Sequence, residues 1–185
     1  LALAQIGEPQ AVDAMLTSQV VSPHALLTLS ASLAAAGHVV EAQRVYAHLD
    51  QVPDDFIRAA VLRGRVLLAP SQAADRLLFA LRGDHARLRG QAAQLLAREC
   101  PENVVTAVLT EFSGLPAASQ ATLLGVRWSR IPDAGRNLAL QALEVASTDV
   151  RCDGLRLLAD VGHAADVALF ARVAAEDQDP QVRTN

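Results

Sequence analysis

The clearest structural pattern in the chain lies in residues 148–177, which read TDVRCDGLRLLADVGHAADVALFARVAAED. Aliphatic residues recur at helical spacing on both sides of the Gly162-His163 break, and they predict two short amphipathic helices. A single pair of such helices cannot bury both apolar stripes, whereas stacked neighbouring pairs can. The stretch therefore predicts one unit of a repeat protein.

Proline and arginine recur along the chain with one shared period. Pro70, Pro101 and Pro132 are each separated by 31 residues, and proline is favoured at the first position of a helix. Arginines that follow an aliphatic residue recur in nearly the same register and are called here the Arg column: Arg58, Arg89, Arg151 and Arg183. The period predicts full helix pairs at 22–52, 53–83, 84–114, 115–146 and 147–177, with partial units at 1–21 and 178–185.

Composition favours an all-α protein. Ala (36) and Leu (28) make up 64 of the 185 residues, while aromatics are only 3%, which argues against β-sandwich, barrel and doubly wound folds. With 19% charged residues and a net charge of −4, the chain is expected to fold. Neither a membrane-length apolar run nor a signal peptide is found, so a soluble, cytoplasmic protein without membrane insertion is expected. The partial units predict a fragment of a longer repeat protein.

Residues 148–183 resemble the short HEAT-like repeat. In that repeat an Asp and a Val-Arg pair open the first helix, a Leu-rich stretch ends at Gly, and a second helix of Ala, Val and Leu follows. The period of about 31 residues resembles the compact type first associated with bilin lyases. The resemblance implies an α-α superhelix: a single right-handed solenoid of stacked antiparallel helix pairs, covering residues 1–185.

Two units depart from this pattern. Gln120 replaces the column Arg in the fifth unit, and Leu27 replaces it in the second. The second unit is equally similar to a tetratricopeptide unit, with Gly37, Ala42 and Tyr46 in matching places. A mixed α-solenoid therefore stays open as an alternative.

The arginines are unevenly distributed, and all 16 basic residues are Arg. Residues 58–98 hold eight Arg and two acids (+6), between flanking segments that are each −5. The Arg column is interpreted as structural, each member reaching an acid or carbonyl of an adjacent unit, although a repeated anion site would need the same residues exposed. Within the basic belt, Arg63, Arg65 and Arg76 are candidates for binding a protein partner; nucleic acid is disfavoured because aromatic residues are sparse.

The fifth unit replaces small apolar residues with a large ring and a charge. Trp128 and Arg136 stand where other units carry Val or Ala. Because Trp and Arg are enriched at interface hot spots, a binding patch of Arg127, Trp128, Arg130 and Arg136 is one hypothesis. The alternative is that Trp128 fills a wider gap between units and Arg136 extends to water.

The chemistry-bearing residues predict neither catalysis nor a bound metal or cofactor. Without Lys, a P-loop lysine and a Schiff base are excluded. The five His show no ligand spacing, and Cys100 and Cys152 are expected to be buried thiols. The position of Cys100 before a helix would lower the pKa of its thiol.

The expected function is that of a non-catalytic protein–protein interaction scaffold. Stacked repeats create an extended concave surface, lined by the second helix of each pair, that suits this role. The resemblance also implies an alternative, an enzyme or enzyme subunit of the bilin-lyase kind, which would need to bind a pigment. A tetratricopeptide-like adaptor and a nucleic-acid binder that uses residues 58–98 are further alternatives.

Overall fold

The structure, a computed structural model, describes residues 9–18 and 20–184. Across these ranges it is all-helical and has no β-strand, which confirms the predicted all-α class. Short 3₁₀ turns lie at Pro70–Gln72, Phe112–Gly114 and Ala164–Asp166. The α-helices are α1 (Ala11–Thr17), α2 (Pro23–Ala35), α3 (Val39–Leu49), α4 (Asp55–Leu68), α5 (Ala73–Arg82), α6 (Ala86–Arg98), α7 (Glu102–Leu109), α8 (Ala117–Leu124), α9 (Pro132–Leu143), α10 (Thr148–Val161), α11 (Val167–Glu176) and α12 (Pro180–Arg183).

The periodic prolines each lie at the start of a helical segment, two as its first residue and Pro101 just before it. Pro132 is the first residue of α9, and Pro101 immediately precedes α7. Pro70 opens the 3₁₀ turn that leads into α5. At these positions the amide N–H that proline lacks would have no partner within the helix, so proline costs no backbone hydrogen bond.

Polar side chains cap three other helices. Ser22 accepts a hydrogen bond from the third residue of α2, Asp54 accepts from two amides of the first turn of α4, and Asp179 accepts from an amide of α12. Each cap satisfies amides that have no carbonyl partner within the helix. The loops thereby fix where these helices begin.

The chain divides into two compact units, the first comprising Leu1–Ala80 with His85–Ala92. In its described part, α2 packs against α3 and α4, while α3 also packs against α1 and α4. The contacts therefore join helices that are adjacent or next but one in the chain. The core of this unit consists of fully buried aliphatic side chains, among them Leu29, Leu33, Val45, Leu49 and Ile57.

The second unit comprises Leu81–Asp84 with Ala93–Asn185. Here α10 packs against α8, α9 and α12, and α11 packs against α12. Gly154 of α10 permits the close approach of α9, since a Cβ at that position would lie 2.8 Å from the Cβ of Ala142 and 3.1 Å from the carbonyl oxygen of Ala139. Small residues thus set the spacing of this helix pair.

Candidate interaction groove

Arg151 and Arg183 of the Arg column make the same backbone contact. Nη1 of Arg151 donates to the carbonyl oxygens six and five residues before it, at 3.3 and 2.8 Å. Nη1 of Arg183 donates to the carbonyl oxygens six and five residues before it, at 2.7 and 3.4 Å. In both places the guanidinium binds carbonyls between the preceding helix and its own, which is the structural role predicted for the column.

Arg151 also forms a two-pronged ion pair with Asp177. Its Nε and Nη2 donate to the two carboxylate oxygens at 3.1 and 3.0 Å, and both side chains are nearly buried. The hydrogen bond from Arg151, together with the amide of Asp179, lowers the pKa of the Asp177 carboxyl. Because Arg151 is fully engaged within the protein, it is not an anion site for a partner.

The other two members of the Arg column are placed differently. Arg58 in α4 lies 3.9 Å from the carboxylate of Asp55 in the same helix, and its side chain is one-third exposed. Arg89 is half-buried in α6. The structural role is therefore evident at Arg151 and Arg183, whereas Arg58 faces a surface groove described below.

The predicted patch around Trp128 is mostly built into the protein rather than presented to a partner. Trp128 is fully buried, and its Nε1–H donates to the carbonyl oxygen of Leu123 at 3.0 Å. The guanidinium of Arg130 donates to three carbonyl oxygens at the end of α6, including that of Cys100 at 2.5 Å. Arg127 is exposed, and unlike Trp128 and Arg130 it makes no hydrogen bond described here.

Arg136 does not extend to water, because it binds Asp166. Its Nε and Nη2 donate to the two carboxylate oxygens, the first at 2.8 Å, and Asp166 is only 3% exposed. The hydrogen bonds from Arg136 and from the amide of His163 hold the pKa of the Asp166 carboxyl far below its usual range. The binding role predicted for Trp128 and Arg136 is thus replaced by structural roles in packing and ion pairing.

The basic belt contains a groove, called here the α4–α5 groove. Its volume is about 620 Å³, and all of its lining lies in the first unit. The lining residues come from α4, α5 and the neighbouring ends of α3 and α6: Asp50, Arg58, Val61, Leu62, Arg65, Asp75, Arg76, Phe79, Ala80, His85 and Leu88. Aliphatic, aromatic and charged side chains therefore line the groove together.

Two of the three belt arginines predicted from the sequence meet in this groove. Arg65 forms an ion pair with Asp50 at 2.6 Å, and Arg76 donates from Nη2 to the side chain of Gln72 at 2.6 Å. The Nε of Arg76 is buried and has no hydrogen-bond partner in the described part of the chain. Arg63 is exposed on α4 but is not a lining residue.

Exposed phenylalanines mark this region. Phe79 lines the groove with 82% of its surface exposed. Phe56, in the first turn of α4, is 65% exposed, and the guanidinium of Arg87 lies 3.7 Å from its ring centroid. Sequence reasoning did not single out Phe56, although both rings fall outside the apolar stripes of their helices, which is the signal that would have found them.

The structure locates both cysteines and the side chains that could bind a metal ion within the described residues. No cluster of three or more His, Cys, Asp or Glu side chains that could hold a metal ion is found there. Both thiols are buried without a disulfide, as predicted. The expected lowering of the Cys100 pKa is wrong: burial raises the pKa of this thiol to about 11, despite the opposing charge of Arg130.

Comparison with protein-family models, with curated proteins and with solved structures finds no match to this chain. Among the helices of the described ranges, none is both long enough and apolar enough to span a bilayer. The features of the molecule that bear on its function are therefore the α4–α5 groove and the recurrence of contacts along the chain.

Proposed function

We propose that the chain is an α-solenoid of HEAT-like helix pairs and that it acts as a non-catalytic protein–protein interaction scaffold. The observation that carries the functional part is the α4–α5 groove, which an exposed phenylalanine lines together with aliphatic side chains and arginines. Apolar side chains surrounded by polar ones are typical of interaction sites. Arg and aromatic residues are also the types that dominate binding energy at protein interfaces.

The architectural part is supported by the spacing of side-chain contacts. Several pairs that join different helices or loops lie about one period apart in sequence: Asp13 with Arg44 (31 residues), Arg82 with Glu111 (29), Arg136 with Asp166 (30) and Thr148 with Asp179 (31). Repeat proteins produce this pattern because each unit contacts only its neighbours. The matching backbone contacts of Arg151 and Arg183 support the same interpretation.

Replacing Phe79 by alanine should remove most of the binding at the groove while leaving the fold intact. The test is a displayed library of random peptides selected on the wild-type protein, followed by affinity measurement on the selected peptides. We expect the Phe79→Ala variant to bind them at least about tenfold more weakly, since a central aromatic residue contributes strongly to an interface. Circular dichroism should show unchanged helicity, because the ring is exposed.

The matched control is Val167→Ala, which shortens another exposed apolar side chain outside the groove. This variant should bind the selected peptides like the wild type. Failure to select any peptide, or selection of peptides that bind the wild type and the Phe79→Ala variant equally well, would contradict the proposed role of the groove.

A further inference from the structure

We infer that the exposed face of α11 is a stacking interface for a further helix pair of the same repeat kind, joined through α12. The inference rests on the proposed solenoid architecture and not on the role of the α4–α5 groove. The occupant is a helix like α10, with a small residue where the two helices cross. Two observations support it: the apolar face of α11 is uncovered, and α11 and α12 repeat the arrangement of α9 and α10.

The apolar residues of α11 are not covered. Eight of its ten residues are apolar, yet none is buried. Val167 is 65% exposed. Four alanines of this helix are exposed as well: Ala168, Ala171, Ala174 and Ala175. By contrast, α9 exposes the polar residues Asp133 and Asn137. Because a terminal repeat needs a polar outer face in water, α11 has the surface of an internal repeat.

The short helix α12 shows where the occupant would lie. Val150 near the start of α10 and Val182 in α12 are both nearly fully buried. Arg151 and Arg183, which follow them and are 32 residues apart, make the same carbonyl contacts. As α10 packs against α8 and α9, so α12 packs against α10 and α11. The four residues of α12 are thus equivalent to the first turn of α10.

The same shift of 32 residues carries the α9 side of the α9–α10 contact onto the exposed face of α11. Ala139 and Ala142 of α9 are fully buried, and a Cβ at Gly154 of α10 would lie 2.8 Å from the Cβ of Ala142. The matching residues of α11 are Ala171 and Ala174, which are exposed. Because alanine is kept at both positions, a helix in line with α12 could approach α11 as closely as α10 approaches α9.

Arg183 specifies a second property of the occupant. Arg151 is paired by the carboxylate of Asp177, 26 residues later in the chain, and its side chain is only 13% exposed. Arg183 makes the carbonyl contacts of Arg151 but is exposed. An acid at the position that matches Asp177 would pair with Arg183 through charge-assisted hydrogen bonds. The occupant is therefore a helix pair with a small residue at the crossing point and an acid after its second helix.

The size of the face favours a helix pair joined through α12 over a second copy of the chain. The ten residues of α11 span about 15 Å. One face of such a helix is far smaller than the roughly 800 Å² per partner that a stable complex buries. A helix pair that is covalently joined needs less buried area, because its docking is intramolecular.

The test extends the full chain, after Asn185, with a second copy of residues 154–177. This extension places the copied Gly154 in the register of the inferred contact. We expect the thermal unfolding midpoint to rise by at least about 5 °C in a single transition, since each repeat stabilises its neighbour. The backbone amides of α11 should exchange hydrogen at least about tenfold more slowly than in the unextended chain, because their helix is then packed on a further side.

The matched control replaces the copied Gly154 by leucine. Leucine favours helix formation more than glycine does, so a loss of the stabilisation reports the blocked approach and not a weaker helix. Ala174→Leu in α11 is the reciprocal variant and should remove the rise in the extended chain. It should shift the midpoint of the unextended chain by no more than about 2 °C, because this side chain is exposed.

The outcomes separate this inference from the proposed role of the groove, since the Phe79-dependent binding of selected peptides is measured on the same proteins. An extension that changes neither the midpoint nor the exchange of α11 would overturn the stacking interface, and so would equal stabilisation by the leucine control. Either result would leave the role of the groove standing if peptide binding still depends on Phe79. Self-association of the unextended chain that Ala174→Leu abolishes would identify a second copy as the occupant and would likewise overturn the inference.

Discussion

Replacing Trp128 by alanine is expected to lower the free energy of unfolding by about 3–5 kcal/mol, because it removes the largest fully buried side chain of the chain's described core. The indole ring is shielded from water and its N–H is satisfied by the carbonyl oxygen of Leu123. Gly135 of α9 leaves room for the close approach, since a Cβ there would lie 2.6 Å from the Cβ of Trp128. Alanine would leave a cavity where the ring now packs.

Chemical denaturation followed by circular dichroism measures this effect. Arg127→Ala is the matched control, because it changes the exposed side chain immediately before the buried ring and should alter stability by no more than about 0.5 kcal/mol. Peptide binding at the α4–α5 groove should be unaffected in folded Trp128→Ala protein, since Trp128 does not line that groove. A destabilisation no larger than that of Arg127→Ala would show that the ring contributes little to the core.

The sequence alone predicted the elements that depend on local rules. Pro70, Pro101 and Pro132 lie at the starts of helical segments because the fixed φ of proline and its missing N–H suit a helix start in any tertiary context. Burial of Val150 and Val182, next to members of the Arg column, also follows from the helical period. Such features can be predicted from the sequence because they depend only on residues within about one helical turn of each other.

The roles of Trp128 and Arg136 depend on tertiary contacts. The comparison of repeat units shows only that these two residues replace Val or Ala, and it does not specify those contacts. A large ring among small residues fits either a binding patch or a wider gap, and the choice is made by Gly135, which lies opposite the ring. Likewise, Arg136 is paired by Asp166, 30 residues further along. A search for acids one period after each unusual Arg would have found that partner.

The α4–α5 groove was predicted only in part. The charge count located its arginines, and Arg65 and Arg76 do meet there. The charge count did not predict that Arg58 also lines the groove or that the Phe79 ring is exposed there. Both facts depend on how α4, α5 and α6 pack. Charge along a sequence identifies a basic region, whereas a binding surface requires the packed helices.

Replacing Asp166 by asparagine should lower the thermal unfolding midpoint at neutral pH by about 10 °C, because it leaves the half-buried guanidinium of Arg136 without its counter-charge. Asparagine keeps the shape of the side chain, so the loss reports charge and hydrogen bonding rather than packing. Asp133→Asn is the control, since that carboxylate is 88% exposed and the imidazole of His163 lies 3.7 Å from it. It should shift the midpoint only slightly.

The pH dependence distinguishes a charge effect from general damage to the fold. Because Arg136 and the amide of His163 lower the pKa of the folded Asp166 carboxyl, the unfolded state binds more protons at acid pH. The stabilisation is therefore fully present above the unfolded pKa of about 4 and is lost as the pH falls further towards the lower, folded pKa. A protonated Asp166 resembles asparagine, so the midpoints of wild type and Asp166→Asn should stay equally far apart from pH 7 to about 4 and should begin to converge only as the pH falls below about 4. Asp177 and Asp179, whose pKa values are also lowered, are present in both proteins and do not affect the difference between them. Midpoints that stay equally far apart below about pH 4 as well would show that Asp166 stabilises the protein by packing and not through its charge.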